Sequence, residues 1–375
     1  MTDRQPQDEA RLRVAEVIGR LTVGGAERHF VSLCNALPDC AVSAFFVSAQ
    51  CGEPSLRDEL DPAIRQVDVP IRKRYLVSGI YRLAAELKAA HCDVVHTHMF
   101  WPTLYGCLAA RLAGVPVVVT TEHGENRWKK GWHRWTERHV ISRIAKMRFC
   151  VSPSILQNRR DKDGVREEIL QVVSNGTPVP VIDENRPIAE TPFLGSVGRL
   201  VKQKNFCLFV DAVAALRAQG LPVRACIVGD GPERSAIAAR IEQHGMHDVF
   251  QLPGFDTNTD RWYRQFDIYV NSSREEGQPI SVLEAMAYSL PVVACNVGAI
   301  SDMVKNESEG LIVPPCDVTA MTAAIQRLVS DHALAMDLGR RARQRIINEF
   351  SIEAVAAEYR RHYQILCSGV GSNTA

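Results

Sequence analysis

The sequence predicts an α/β protein built from two doubly wound parallel-sheet domains, and three observations carry that reading. The chain has 375 residues, 46% of them hydrophobic and 23% charged, a globular composition too long for a single compact core to be the default. Short runs of β-branched and aromatic residues alternate with longer stretches of helical periodicity, as strands joined by crossover helices do. Between two such series lies NGTPVPVIDENRPIAETP (175–192), where Pro178, Pro180, Pro187 and Pro192 interrupt any regular element.

In the first series strands are expected at 13–19, 43–49, 93–98, 115–123 and 148–152. In the second they fall at 193–199, 223–230, 249–254, 267–273, 291–296 and 310–315. The domains therefore run 1–180 and 181–350. An amphipathic helix follows over 351–366, with Val355, Tyr359 and Tyr363 at helical spacing. Ligands of open α/β sheets bind at the carboxyl ends of strands, and both sets of ends are expected to face one cleft. Gly24 and Gly25, His96 and His98, His123, Arg199 and Gly229 all fall at such ends.

Composition removes several classes of function. Lys plus Arg is 44 and Asp plus Glu is 43, a net charge of +1, so there is no global electrostatic case for binding nucleic acid. The opening MTDRQPQDEARLR lacks an apolar core, and no window approaches the roughly 18 apolar residues of a membrane span. Eleven cysteines without a C-x-x-C pair read as reduced thiols in a cytoplasmic protein. Neither G-x-S-x-G nor G-x-x-x-x-G-K-[ST] occurs, which removes the common hydrolase and phosphate-loop readings.

Several motifs carry chemistry. GRLTVGGAERHF (19–30) sets Gly24 and Gly25 between a strand and a helix, where bare amides can receive an anion; a tight turn with Glu27 in the first helical turn is the plainer alternative. GRLVKQKN (198–205) places Arg199 and Lys204 five residues apart on a loop entering a helix, two cations suited to a diphosphate whose charge grows as it leaves. In SSREEGQPISVLEAMAYSLPVVA (272–294), Pro279 suits the first helical turn. Glu284 falls among apolar neighbours inside the helix, and Glu276 sits in the loop before it. Two such carboxylates suit the hydroxyls of sugar and ribose. Two metal readings are weaker. The acids of DKD (161–163) follow a helical stretch, and His91, Cys92, His96 and His98 lack a clear fourth ligand. The histidines are expected to line the cleft instead.

Taken in order, GGAER, HTH, TEHG, VSPS, SNGT, VGRLVKQKN, IVGDGP, LPGF and the pair Glu276 and Glu284 followed by AMA and LPVVA resemble the family 4 glycosyltransferases, retaining enzymes of the GT-B architecture with two Rossmann-like domains. The resemblance runs along nearly the whole chain. It implies that Gly24 and Gly25 lie against a donor diphosphate, that Arg199 and Lys204 neutralise it, and that Glu284 binds the ribose. Glu276 with Gly277, Gln278, Pro279, Ile280 and Ser281 would hold the donor sugar, and Phe255 or Asp256 would lie near the base. EGQP departs from the usual pattern, since Gln278 and Pro279 leave one fewer amide for the sugar. His123 matches the histidine of the reacting centre. The final helix would pack back on the N-terminal domain.

The implied reaction moves a sugar from a nucleotide-diphosphate sugar to a hydroxyl acceptor with retained configuration, without metal or cofactor. The acceptor attacks the face that the diphosphate leaves, a phosphate oxygen takes the proton, and His123 positions the reactants. A nucleotide-sugar 2-epimerase and a non-catalytic partner subunit are the competing readings. From Arg127 to Arg148 the chain carries eight Lys or Arg against one acid, Glu137, with Trp128, Trp132 and Trp135 at i, i+4 and i+7. On a helix these would form a stripe suited to the headgroups of an anionic bilayer, giving a lipid-linked acceptor and a peripheral position on the inner leaflet. The alternative packs the stripe inside the domain.

Overall fold

The computed structural model describes residues 11–49, 55–124, 128–184 and 186–371, which divide into two compact units. One comprises the chain up to Gly176 together with Ile352 onward, and the other is Thr177–Ser351.

The N-terminal unit holds a seven-stranded, wholly parallel sheet: β1 (Leu12–Ile18), β2 (Cys40–Phe46), β3 (Arg65–Asp68), β4 (Val94–His98), β5 (Val117–Glu122), β6 (Met147–Cys150) and β7 (Leu170–Val172). Their order is β3-β2-β1-β4-β5-β6-β7. The expected strand 43–49 begins three residues earlier, and the pattern did not disclose β3 and β7. Both are edge strands, where one side of the ladder is open and polar residues are tolerated. In β3 (RQVD) only Val67 is even half-buried.

The second unit repeats the plan with β8 (Phe193–Val197), β9 (Arg224–Val228), β10 (Phe250–Gly254), β11 (Ile268–Asn271), β12 (Val292–Cys295) and β13 (Gly310–Val313). All are parallel, in the order β10-β9-β8-β11-β12-β13. Central strands such as VVAC in β12 are buried on both faces, as parallel sheets require because helices cover both sides.

The C-terminal helix Ile352–Gly371 belongs to the first unit. Its Ile352, Val355, Ala356, Tyr359 and Tyr363 share a core cluster with Val14, Leu33, Val94, Val117 and Phe149. Tyr359 and Tyr363, one helical turn apart, are completely buried. Burying a large apolar side chain contributes about 1.5 to 3 kcal/mol, so the helix is a structural part of this sheet's cover. Tyr359→Ala should cost about 3 to 5 kcal/mol. Denaturant unfolding followed by a probe in the N-terminal unit checks this, and an unchanged midpoint would contradict the packing described.

Candidate active site

In the N-terminal sheet the strand order reverses between β1 and β4, the position where open α/β sheets receive ligands. Glu16 of β1 is in register with His96 of β4, and His98 with Thr121 of β5. Glu16 is fully buried, a state costing several kcal/mol unless the charge is paired. Here it is paired twice: Oε1 lies 3.1 Å from His96 Nδ1, and Oε2 lies 2.7 Å from His98 Nε2. Burial alone would raise its pKa, but His96 and His98 hold the carboxyl down at about 2. The chain continues outward, with His98 Nδ1 3.0 Å from His123 Nε2. Burial, then the charge of His96, lowers the His98 pKa to about 4 against the opposing pull of Glu16. Burial and the imidazoles of His98, His29 and His96 drive that of His123 well below its usual value. Glu16, His96 and His98 are buried while His123 is half-buried, so the network reaches the surface at His123.

This corrects the expectation that His96 and His98 line a cleft: both are sealed in the sheet. Nor does the trio Glu16, His96 and His98 fit a metal as arranged. Two ligands of one tetrahedral zinc stand about 3.3 Å apart, whereas Glu16 Oε2 and His98 Nε2 are 2.7 Å apart, in hydrogen-bond contact. Asp163 of the DKD segment is also engaged, paired with Arg159 inside the domain. Arg159 in turn donates to the Gly124 carbonyl at 2.8 Å, bracing the residue next to His123. Behind that loop, Lys129 and Arg148 pair with Glu137 and approach Glu122 at 3.5 and 3.8 Å. Arg159 approaches Glu122 at 3.6 Å.

Those pairs change the account of the basic segment. Arg127 lies outside the described residues. Lys129 and Arg148 are buried ion-pair partners, which leaves Lys130, Arg134, Arg138, Arg143 and Lys146 as exposed cations. The helix begins at Gly131: Gly131–Thr136 is followed by a wider turn at Glu137–Ile141 and a last turn at Ser142–Ile144. Trp128 precedes it, so the three tryptophans do not form a single helical stripe. They are not packed inside either: Trp128, Trp132 and Trp135 are 50%, 48% and 60% exposed. Trp132 stacks on His133 at 3.6 Å, and Trp101 lies 5.7 Å from Trp132.

Gly24 and Gly25 open the helix Gly25–Ala36. The Glu27 carboxylate folds back over Gly24, where a Cβ would collide with it, and Thr22 Oγ1 donates to Glu27 Oε1 at 3.2 Å.

In the second unit the order reverses between β8 and β11. The loops after these two strands carry Arg199, Lys204 and Glu276. Lys204 Nζ donates to Glu276 Oε1 at 2.7 Å, and the same oxygen accepts from Ser273 Oγ at 2.6 Å and Asn271 Nδ2 at 3.3 Å. Among the described residues Glu276 Oε2 accepts no hydrogen bond, and the exposed guanidinium of Arg199 has no hydrogen-bond or ion-pair partner. Two glycines allow the backbone to close on itself here. Gly229, at φ +145°, lies against the Gly198 carbonyl, and Gly298, at φ +57°, lies against the Glu276 carbonyl. Either with a Cβ would clash.

Pro279 stands just before the first residue of the helix Ile280–Ala287 and Gln278 is buried beside it, whereas Gly277 and Ser281 are half-buried. Glu284, half-buried on that helix, accepts from the Tyr263 hydroxyl at 2.7 Å. Phe255 is 38% exposed, while Asp256 accepts from Trp262 Nε1 at 2.7 Å and from Arg261. Reading motifs missed Glu16, Tyr263 and Asn271. Glu16 had a visible signal, a lone acid amid the apolar residues of strand RVAEVIG.

The family model described as "Glycosyltransferase Family 4" matches residues 23–179, and "Glycosyl transferases group 1" matches 181–345. The Escherichia coli UDP-Gal:alpha-D-GlcNAc-diphosphoundecaprenol alpha-1,3-galactosyltransferase is 26% identical over 92% of this chain and 94% of its own length. Among solved structures, a glycosyltransferase from Rickettsia africae superposes with a TM-score of 0.82 at 20% identity, covering 95% of this chain and 99% of that one. Anabaena Alr3699/HepE, solved in complex with UDP, gives 0.81 at 16% identity over 94% and 99%. Two parallel-sheet units, the motifs at their strand ends and these matches along both halves agree: the chain belongs to the group 1 and family 4 glycosyltransferases and has the GT-B fold.

Proposed function

We propose that this glycosyltransferase moves a sugar from a nucleoside-diphosphate donor to a hydroxyl of a lipid-linked glycan, retaining the anomeric configuration and using no metal. The observation that carries the reading is the arrangement at the β8/β11 switch point. There an exposed, uncompensated Arg199 stands on the same loop as Lys204, which is tied to Glu276. Fixed cations favour a leaving diphosphate as its charge grows, and a well-placed donor of this kind contributes about 3 to 4 kcal/mol. Glu276 suits a binding role better than a nucleophile's: one oxygen is saturated by three donors, and the other remains to accept from sugar hydroxyls. Glu284, held by Tyr263, takes the ribose, and Phe255 and Asp256 lie near the base. The backbone from Gly277 through Ser281 follows the sugar; for Gly24 and Gly25 the family resemblance implies a role at the diphosphate, and for His123 one at the reacting centre. With Glu276 so engaged, the acceptor attacks the face the diphosphate leaves, and a phosphate oxygen takes its proton.

The lipid-linked acceptor rests on the E. coli relative, whose name gives a diphosphoundecaprenol substrate, and on the exposed tryptophans flanked by five exposed cations. Among the described residues no helix is long and apolar enough to cross a membrane. We place the N-terminal unit against the inner leaflet, each cation near an anionic surface adding about 1 kcal/mol.

Arg199→Ala and Glu284→Ala should each leave a folded protein with donor turnover about a hundredfold lower; near-normal nucleotide release from a panel of nucleotide-sugars would remove the assignment. Excess chelator should leave that release unchanged, and a loss restored by manganese would reinstate a metal. In vesicle flotation the protein should rise with anionic vesicles and stay behind with neutral ones. Lys130→Glu with Arg134→Glu should weaken the former. Binding insensitive to both lipid charge and these changes would contradict the docking face.

A further inference from the structure

We propose that Glu16 and His98 are positioning residues that fix which ring nitrogen of His123 carries its proton. The inference rests on the reading of His123 as the reacting-centre histidine and extends it inward. A carboxylate can only accept hydrogen bonds. Glu16 Oε2 at 2.7 Å from His98 Nε2 therefore places a proton on that nitrogen, and Oε1 at 3.1 Å from His96 Nδ1 places one there. A neutral His98 protonated at Nε2 has a lone pair at Nδ1. The His123 Nε2 that stands 3.0 Å away must then be the donor, which leaves the His123 lone pair on the buried Nδ1. The neighbouring Asn175 side chain, which also interacts with this ring, must then offer it the amide N–H and not the carbonyl.

The other branch closes with the same directions. His96, protonated at Nδ1, has its lone pair at Nε2, which receives Thr121 Oγ1 at 2.7 Å, and the Tyr359 hydroxyl stands 3.3 Å from Thr121 Oγ1. The Tyr363 hydroxyl, 2.7 Å from His96 Nδ1 and 3.4 Å from Glu16 Oε1, accepts from the first, whose single N–H is shared between this hydroxyl and Glu16 Oε1, and donates to the second. Each contact in this chain thus has one donor and one acceptor. Reversing the His98 tautomer would set two lone pairs against each other at Glu16, 2.7 Å apart, where both side chains are fully buried. The depressed pKa values of Glu16 and His98 agree with an ionised carboxylate beside a neutral ring.

The arrangement gives His123 one orientation and one protonation pattern before substrate arrives, so neither has to be reorganised during transfer. Replacing an orienting carboxylate by its amide can leave geometry intact while admitting the wrong tautomer.

Nitrogen-15 NMR of histidine-labelled protein reads the pattern directly. The expected result is His96 protonated at Nδ1 and both His98 and His123 at Nε2. Glu16→Gln should convert His123 to a tautomer mixture and lower kcat at least roughly tenfold with the donor KM unchanged. A wild-type spectrum with His98 or His123 protonated at Nδ1 overturns the proposal, and it does so even if Glu16→Gln fails to fold. A folded Glu16→Gln protein with unaltered tautomers and kcat overturns it as well. Unaltered turnover in His123→Ala would instead remove the reading of His123 itself, leaving the tautomer result to stand or fall alone.

Discussion

One carboxylate without access to water constrains the N-terminal unit. Glu16 lies in an interior strand, β1, of a sheet covered on both faces, and leaving it unpaired would cost several kcal/mol. Its two oxygens are met by two histidines of the neighbouring strand, and that strand is the one across which the chain order reverses. The same interaction that makes the buried charge tolerable therefore also reaches the strand end where a ligand can bind. The C-terminal helix takes part, because Tyr363 contacts both His96 and Glu16 while Tyr359 contacts Thr121. Its attachment to this unit is thus polar as well as apolar.

The second unit solves the same topological problem with a half-buried pair. At its switch point Lys204 and Glu276 join the loops after two adjacent strands, and the side chains stay partly open to solvent. The consequence of this pair is local geometry: Glu276 has one oxygen committed and one available. Gly229 and Gly298 serve that geometry, since each lets one backbone segment lie against another where a side chain would hold them apart.

Much of this was legible in the sequence, and the parts that were not share physical causes. The central strands were readable because burial on both faces makes them continuous apolar runs. β3 and β7 were not, because edge strands need no such run. The motif loops were readable by composition and order. What composition could not convey was direction: HTH reads as two histidines at a strand end, yet only the structure shows that both turn inward to Glu16. A tally of charge fails for the same reason, since Lys129 and Arg148 look like surface cations in the chain and are partners of a buried Glu137 in the fold. DKD spans two environments, with Asp163 buried on Arg159 and Asp161 exposed beside Arg160.

The Trp128–Arg148 segment shows how one stretch can serve two environments at once. Its inward residues, Lys129, Glu137 and Arg148, join Glu122 and Arg159 in a network where positive and negative groups alternate. Arg148 and Lys129 hold the Glu137 carboxyl at about 2 despite its burial. A segment anchored by such pairs does not need its aromatic residues for attachment. Trp128, Trp132 and Trp135 can then stay half exposed, although tryptophan is otherwise a residue that folding tends to cover. The network also meets Glu122, the neighbour of His123, and through Arg159 it holds Gly124 on the other side. One charge-paired element thus carries the exposed tryptophans on its outer side and contacts both chain neighbours of His123, Glu122 and Gly124, on its inner side.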